Sequence, residues 1–209
     1  NFDGLIQVYN GKYTNQNNGL EFENLTVNTH LDEKISRIDL NSDYFDGSIT
    51  GTYHFNSLIE SFRIVLARYL PSLSIPVTET GNSNQFSFKF FARELNELTA
   101  VFIPGLQIKT PFSLTGSIDS QNGALETEGA IPEVIYNQIA FRNISVRVTP
   151  VPGALSSKIR FGEVRHLNGL NLHNLAFLMD AKNDQIKSRI VWNNWEKLSY
   201  SGEILSDFN

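Results

Sequence analysis

Leu20-Glu21-Phe22-Glu23-Asn24-Leu25-Thr26-Val27-Asn28-Thr29-His30-Leu31 is the stretch that decides the fold. Apolar and polar residues alternate from Leu20 through Phe22. They alternate again from Leu25 through Val27 to Leu31, but one step out of phase, with Asn24 at the slip. Strict alternation marks a half-buried strand. A one-residue slip turns every later side chain to the other face unless an extra residue bulges out. The same break recurs twice. Ile139 and Phe141 give way to Ile144, Val146 and Val148 across Asn143, and Leu170 and Leu172 to Leu175, Phe177 and Met179 across Asn174. Bulges at all three asparagines are expected, and repeated bulges curl a sheet.

Outward from these segments the two-residue period persists. Ile49, Gly51, Tyr53 and Phe55 share one side, as do Phe86, Phe88 and Phe90, then Leu114, Gly116 and Ile118, then Ile186, Ser188, Ile190 and Trp192. Ile38 and Leu40 do the same within a strand over 35–41. Turn signals stand at Asn10-Gly11, Asp46-Gly47, Gln121-Asn122-Gly123 and Lys182-Asn183-Asp184. Two stretches break the pattern. Leu58, Phe62, Leu66 and Tyr69 with Val65 follow helical spacing over 57–70, where Ser57 and Glu60 form a capping-box pair and Pro71 stops the run. A second, weaker helix spans 93–102, stopped by Pro104-Gly105. The fold class predicted is mainly β: a curled, open antiparallel sheet with two short helices.

Asn24 and Asn174 lie 150 residues apart, and the segments after them are alike. Each runs through a turn, a strand (35–41 or 186–192) and another turn, then Ile49-Thr50-Gly51-Thr52-Tyr53 or Tyr200-Ser201-Gly202-Glu203-Ile204. This reads as an internal repeat. The chain divides into approximate sub-units 1–75, 84–135 and 138–209 of a single repetitive region.

Composition limits function. Of 209 residues 41% are hydrophobic, 15 are Phe and none is Cys, with a net charge of −5. Disorder is excluded by that apolar content. Thiolate metal sites, disulfides and cysteine nucleophiles are excluded outright. No concentrated run of Lys or Arg offers a nucleic-acid footprint or a polybasic membrane patch. The chain opens on Asn1 without a signal-like segment, and its longest nearly apolar stretch, 100–106, is too short to span a bilayer. It reads as a piece of a larger chain.

Catalytic motifs fail one by one. Asp39-x-Asn41-x-Asp43 starts like a calcium loop but has Tyr44 where glycine is needed and Thr50 where the bidentate glutamate belongs. His30, His54, His166 and His173 have no metal-ligand spacing. No Gly-x-Ser-x-Gly elbow or phosphate loop occurs. Glu21 and Glu23 flank Phe22 on the polar side of a strand, as solvated residues do rather than a glycosidase pair. Asn24-Leu25-Thr26 and Asn143-Ile144-Ser145 match a glycosylation sequon by chance. Trp192 and Trp195 fit core or rim packing better than sugar binding. No catalytic residue, metal or cofactor is expected, and the chain is not read as an enzyme.

Residues 20–75 carry a resemblance. Leu20 to Asn28, then Ile38-Asp-Leu-Asn-Ser-Asp-Tyr-Phe-Asp-Gly-Ser-Ile-Thr-Gly-Thr-Tyr-His-Phe55, then an amphipathic helix closing on Arg68-Tyr-Leu-Pro71, resemble TamB proteins of the Bacteroidetes type, within the AsmA superfamily. The resemblance implies an elongated sheet folded lengthwise, a β-taco, with an apolar interior. It implies a periplasmic segment of an inner-membrane-anchored protein that carries phospholipid between the membranes in outer-membrane biogenesis. The implied partners are phospholipid and an outer-membrane barrel protein of the Omp85 type. The two helices depart from a smooth trough and are expected to cap or plug it.

Under that reading the lipid-facing residues are Phe22, Leu25, Val27 and Leu31, then Ile38, Leu40, Ile49, Tyr53 and Phe55. Phe86, Phe88, Phe90, Leu114 and Ile118 continue the row. Phe141, Ile144, Val146, Leu172, Leu175, Phe177, Ile190 and Trp192 complete it. Alternation alone leaves open a closed β-sandwich that serves as a non-catalytic interaction module.

Overall fold

Alternating residues build thirteen strands into one antiparallel sheet that does not close into a barrel. The computed structural model describes residues 3–14, 19–32, 35–69, 76, 83–169, 171–193 and 201–208. In chain order the strands are β1 (Gly4–Thr14), β2 (Gly19–Leu31), β3 (Ser36–Ser42), β4 (Phe45–Thr52), β5 (Gln85–Ala92), β6 (Leu106–Lys109), β7 (Phe112–Asp119), β8 (Ala124–Tyr136), β9 (Ile139–Val151), β10 (Ala154–His166), β11 (Asn171–Lys182), β12 (Gln185–Asn193) and β13 (Ser201–Phe208). Helix α1 (Leu58–Tyr69) lies between β4 and β5, and α2 (Asn96–Phe102) between β5 and β6. Sheet order follows the chain, except that β6 pairs with β8 beside β7. A single open sheet replaces the two-layer sandwich that alternation had left possible. The proposed repeat falls on β2–β3–β4 and β11–β12–β13, two meanders of the same order.

Local departures from the sequence reading have identifiable causes. The turn expected at Asn10-Gly11 lies inside β1, and that at Asp46-Gly47 lies inside β4. The actual reversal is at Asp43-Tyr44, where the Ser42 hydroxyl accepts from the Phe45 N–H at 3.1 Å. The turn at Asn183-Asp184 is as read, with φ of 51° and 64°, the paired positive angles of a type I′ hairpin. β4 stops at Thr52 because the His54 N–H leaves the ladder for the Asn84 side chain (2.9 Å), and Phe55–Ser57 form a 3-10 turn. Ser57 does not cap α1. Its hydroxyl donates to the His54 carbonyl at 3.1 Å instead. Pro71 and the turn at Asn193-Asn194 lie wholly or partly outside the described residues.

The expected bulges are replaced by a different device. Asn143 and Asn174 adopt φ of 51° and 48°, the left-handed region that asparagine tolerates better than other side-chain-bearing residues. No residue is inserted there. Ile131↔Ile144 and Glu133↔Arg142 keep one register across Asn143, as do Phe161↔Leu175 and Glu163↔His173 across Asn174. Positions 132, 143, 162 and 174 fall opposite one another on four neighbouring strands and are skipped by the ladder. They are Pro132, which has no N–H to give, Asn143, Gly162 and Asn174. At the β1–β2 edge the left-handed residue is Asn10 (φ 51°), opposite Glu23. There the Glu23 and Asn24 N–H groups both donate to the Asp43 carboxylate, at 2.5 and 3.2 Å. A true one-residue excess occurs only between β6 and β7, among the described residues. Thr110, Pro111 and Phe112 stand against Ile131 and Pro132, with a cis Thr110–Pro111 peptide.

The β8–β11 positions form one fault line across those four strands, and Asn10 with Glu23 forms a second at the β1–β2 edge. A left-handed residue reverses side-chain alternation in its strand, so apolar residues on both sides of the β8–β11 line point the same way. Phe141 and Phe161 meet across it with ring centroids 5.4 Å apart. Beside the β1–β2 fault, Leu20 and Phe22 share a cluster with Tyr44 and Phe45. The β8–β11 line separates long strand arms from a short lip made of the 139–142, 163–166 and 171–173 arms and their neighbours.

The sheet curls around α1. One buried cluster contains Ile38 of β3, Val65 and Tyr69 of α1, and Leu155 and Ala181 of β10 and β11. β3 and β11 are seven strand steps apart, about 34 Å in a flat sheet. A helix about 10–12 Å across cannot bridge that span, so the strands wrap it. At its C-terminal end the Asp184 N–H donates to the Tyr69 carbonyl (3.0 Å) and the Tyr69 hydroxyl to the Gly123 carbonyl (2.9 Å).

Candidate functional site

The concave face is the candidate site. Register puts Leu25, Val27, Ile38, Leu40, Ile49, Phe86, Phe88, Phe90, Leu114, Ile118, Ile144, Val146, Leu175, Phe177, Ile190 and Trp192 on it together. Phe22, Phe141 and Leu172 join from across the two faults. They differ in role. Ile38, Tyr53, Phe86 and Ile118 are buried in the core around α1, with Val27, Leu40, Ile49 and Phe88 packed against it. Ile144 is buried as well. Leu25, Phe90, Leu114, Val146, Leu175, Phe177, Ile190 and Trp192 stay half-buried, because no second sheet covers them among the described residues. Leu31 and Phe55 are exposed at the α1 end.

Helix α1 fills one end of the concavity. Its buried side carries Ser61, Val65 and Tyr69, whereas Phe62 and Leu66 of the expected apolar stripe are over a third exposed. Phe62 leans over Phe86 and Phe88, with centroids 6.3 and 6.1 Å away. Across the sheet Phe88 covers Gly116, where a Cβ would strike the Phe88 ring and the Glu126 carbonyl. Phe45, Phe90 and Phe112 continue the aromatic row at 5.4 and 6.1 Å. Helix α2 closes the other end through Leu98 and Val101 against Leu20, Phe22 and Tyr44. The Tyr44 hydroxyl donates to Glu97 at 2.6 Å. Burial first, and the Glu97 carboxylate second, push the Tyr44 phenol well above its ordinary value.

A pocket of about 290 Å³ opens beside α1, lined chiefly by Ile6, Val27, Leu31, Ile38, Tyr53 and Phe55. It is near the lower end of the size range of ligand pockets, about 300–1,000 Å³. Tyr53 is 4% exposed and its hydroxyl has no hydrogen-bond partner among the described residues.

Two polar arrangements escaped the sequence reading. Asn84, 1% exposed, donates to the Ser57 carbonyl (3.1 Å), the Ser57 hydroxyl (3.0 Å) and the Ser61 hydroxyl (2.7 Å), and its own N–H donates to the Ser120 hydroxyl (2.8 Å). It ties α1 to β5 and β7. On the convex side of the lip Glu133, 4% exposed, accepts from Lys109 (2.6 Å) and from Arg142, which also reaches Glu163 at 2.8 Å. The Lys109 and Arg142 hydrogen bonds hold the Glu133 carboxyl below its ordinary value against its burial, and Arg142 does the same for Glu163. Neither had a local signal, because their partners come from distant strands.

Depressed carboxyl values fix the sign of a pH effect. The stabilisation is full above the unfolded carboxylate range, about pH 4.5, and is lost as pH falls through the lower folded values. Acidifying from pH 5 to pH 3 is therefore expected to lower the thermal midpoint. Glu133→Gln should cost roughly 1–2 kcal/mol at pH 7, discounted because Lys109 and Arg142 are partly solvated. It should also flatten the acid slope. Melting curves of both proteins at the two pH values check this, and equal slopes would refute it.

No cluster of three or more His, Asp or Glu fit to hold a metal exists among the described residues. The side chains of the calcium-like stretch have other partners, Asp39 and Asp43 through their oxygens and Asn41 through its amide N–H. Asp39 pairs with Arg37 at 2.7 Å, Asn41 hydrogen-bonds Asp46, and Asp43 takes the β2 amides. No described helix is long and apolar enough to cross a membrane. No family model, curated protein or solved structure matches the chain.

Proposed function

We propose that this chain is a segment of a TamB-like bridge in the bacterial periplasm, whose concave face shields phospholipid acyl chains between the inner and outer membranes. The supporting observation is the run of half-buried Phe, Leu, Ile and Val side chains on a single curled sheet with no second layer over them among the described residues. Such a surface lowers its free energy by about 0.8 kcal/mol for each methylene it removes from water. Helices α1 and α2 at the two ends limit how far a chain slides within this segment. The bridge is inner-membrane-anchored outside this segment and works with an outer-membrane barrel partner.

The expected result is capture of phospholipid by a photo-crosslinking side chain at Phe177 or Val146, on the concave face, and none at Thr115 or Arg147, on the convex face. Equal capture on both faces, or none at Phe177 and Val146, would refute the reading. A second reading, a protein-interaction module, is favoured by the open edge at β1. Leu5 and Tyr9 there are 56% and 60% exposed on a strand that, among the described residues, pairs only with β2. That reading gives partner capture at Leu5 or Tyr9 without lipid at Phe177.

A further inference from the structure

We infer that the convex face carries an oxyanion-binding groove, separate from the apolar trough and independent of the lipid reading. A groove of about 620 Å³ crosses β7 to β10 on the side opposite the concave residues. Its floor is low because small side chains face one another across three strands, Ser113↔Ala130↔Ser145. Its β9–β10 end is walled by Arg147, Lys158 and Arg160.

The placement of these cations is the reason for the assignment. Arg147 and Lys158 are direct cross-strand partners, an arrangement of like charges that weakens a sheet. Arg160, two residues along, stands opposite Ser145. Only Arg147 is compensated, by Glu128 at 2.8 Å. Among the described residues neither Lys158 nor Arg160 has an ionic partner, although Asp180 lies diagonal to Lys158 on β11. A chain of net charge −5 thus sets two uncompensated cations, Lys158 and Arg160, beside the Arg147–Glu128 pair that also lines the groove, close to the hydroxyls of Ser145, Ser113 and Thr115. A bound anion compensates those two charges, and charge-assisted hydrogen bonds from guanidinium and ammonium groups are the strong ones.

The ligand class follows from the lining. The cationic end takes a phosphate group. From β10 to β7 is about 14 Å, and the Ser113 and Thr115 end suits a hydroxylated remainder. This is the chemistry of a polyol phosphate, supplied either as a soluble ester or as the headgroup of an anionic lipid.

The test is amide chemical-shift mapping of the full chain with inorganic phosphate and with glycerol 3-phosphate, against chloride at equal ionic strength. Saturable shifts centred on Ser145, Lys158 and Arg160 are expected. In Lys158→Ala/Arg160→Ala binding should weaken at least about tenfold, with an unchanged or higher thermal midpoint because the repulsion is gone. Co-sedimentation with phosphatidylglycerol vesicles, but not phosphatidylcholine vesicles, sensitive to the same double variant, identifies the headgroup as the source. Response to glycerol 3-phosphate alone identifies the soluble ester. Shifts no larger than those with chloride, or unchanged in the double variant, together with no vesicle binding, overturn the assignment.

Discussion

Asn84→Ala is expected to destabilise the protein by about 2–4 kcal/mol, among the largest effects of any single polar substitution. The side chain is fully buried and every hydrogen-bonding group on it is used. Alanine removes the acceptor of the His54 N–H and one of the two partners of the Ser61 hydroxyl, which keeps its bond to the Ser57 carbonyl, and it leaves a void where the buried amide stood. For a chain of this size that corresponds to a fall of roughly 5–15 °C in Tm. The damage should start locally. Asn84 joins α1 to β5 and β7, so amides of α1 should lose hydrogen-exchange protection before those of β9 and β10. Asn84→Asp distinguishes the donors from the acceptor. It keeps the oxygen that the His54 N–H uses and removes the N–H groups that Ser57 and Ser61 accept from, while adding a buried charge, so it should be at least as damaging as alanine. A loss under 1 kcal/mol for Asn84→Ala would show that apolar packing of Val65 and Tyr69 anchors α1 by itself.

The sheet was legible in the sequence because its information is local. Phe86, Phe88 and Phe90 alternate, the Asn183-Asp184 hairpin announces itself, and the slips read at Asn143 and Asn174 fall on the left-handed residues themselves, whereas the one read at Asn24 lies at Glu23, opposite the left-handed Asn10. What local reading missed is set by neighbours several strands away. Asn10-Gly11 has the composition of a turn, yet it is a fault inside β1, because β2 presents Glu23 and Asn24 to the Asp43 carboxylate at that level. The helix over 57–70 was placed well, but its buried side was not. The stripe of Leu58, Phe62 and Leu66 is rotated partly outward so that Ser61 reaches Asn84. The candidate site was legible as a face and not as a set of roles. Alternation put Ile38, Phe86 and Phe177 on one side, but only the position of α1 makes the first two core and leaves the third half-open.

The fault line predicts the opposite of what strand propensity predicts. Valine is a strong strand former, so on propensity alone Asn143→Val in the middle of β9 should be neutral or favourable. At φ 51° it should instead cost about 2 kcal/mol, since a β-branched side chain in the left-handed region clashes with its own backbone. Asn143→Gly, free of that clash, should stay within about 0.5 kcal/mol of the native protein. Asn174→Val should behave like Asn143→Val. Both asparagines face Gly162, from β9 and from β11, so relaxation forced by one valine alters the site of the other. The double variant should therefore depart from the sum of the two singles. The structural consequence is also directional. If residue 143 returns to extended backbone, the strand loses its reversal, and either Ile139 and Phe141 or Ile144 and Val146 must turn out of the concave face. Increased binding of a hydrophobic dye together with the stability loss would report that turning. A valine that raises stability at both positions would mean the two arms are not held in one apolar face by the left-handed residues, and the fault line would have no part in shaping the trough.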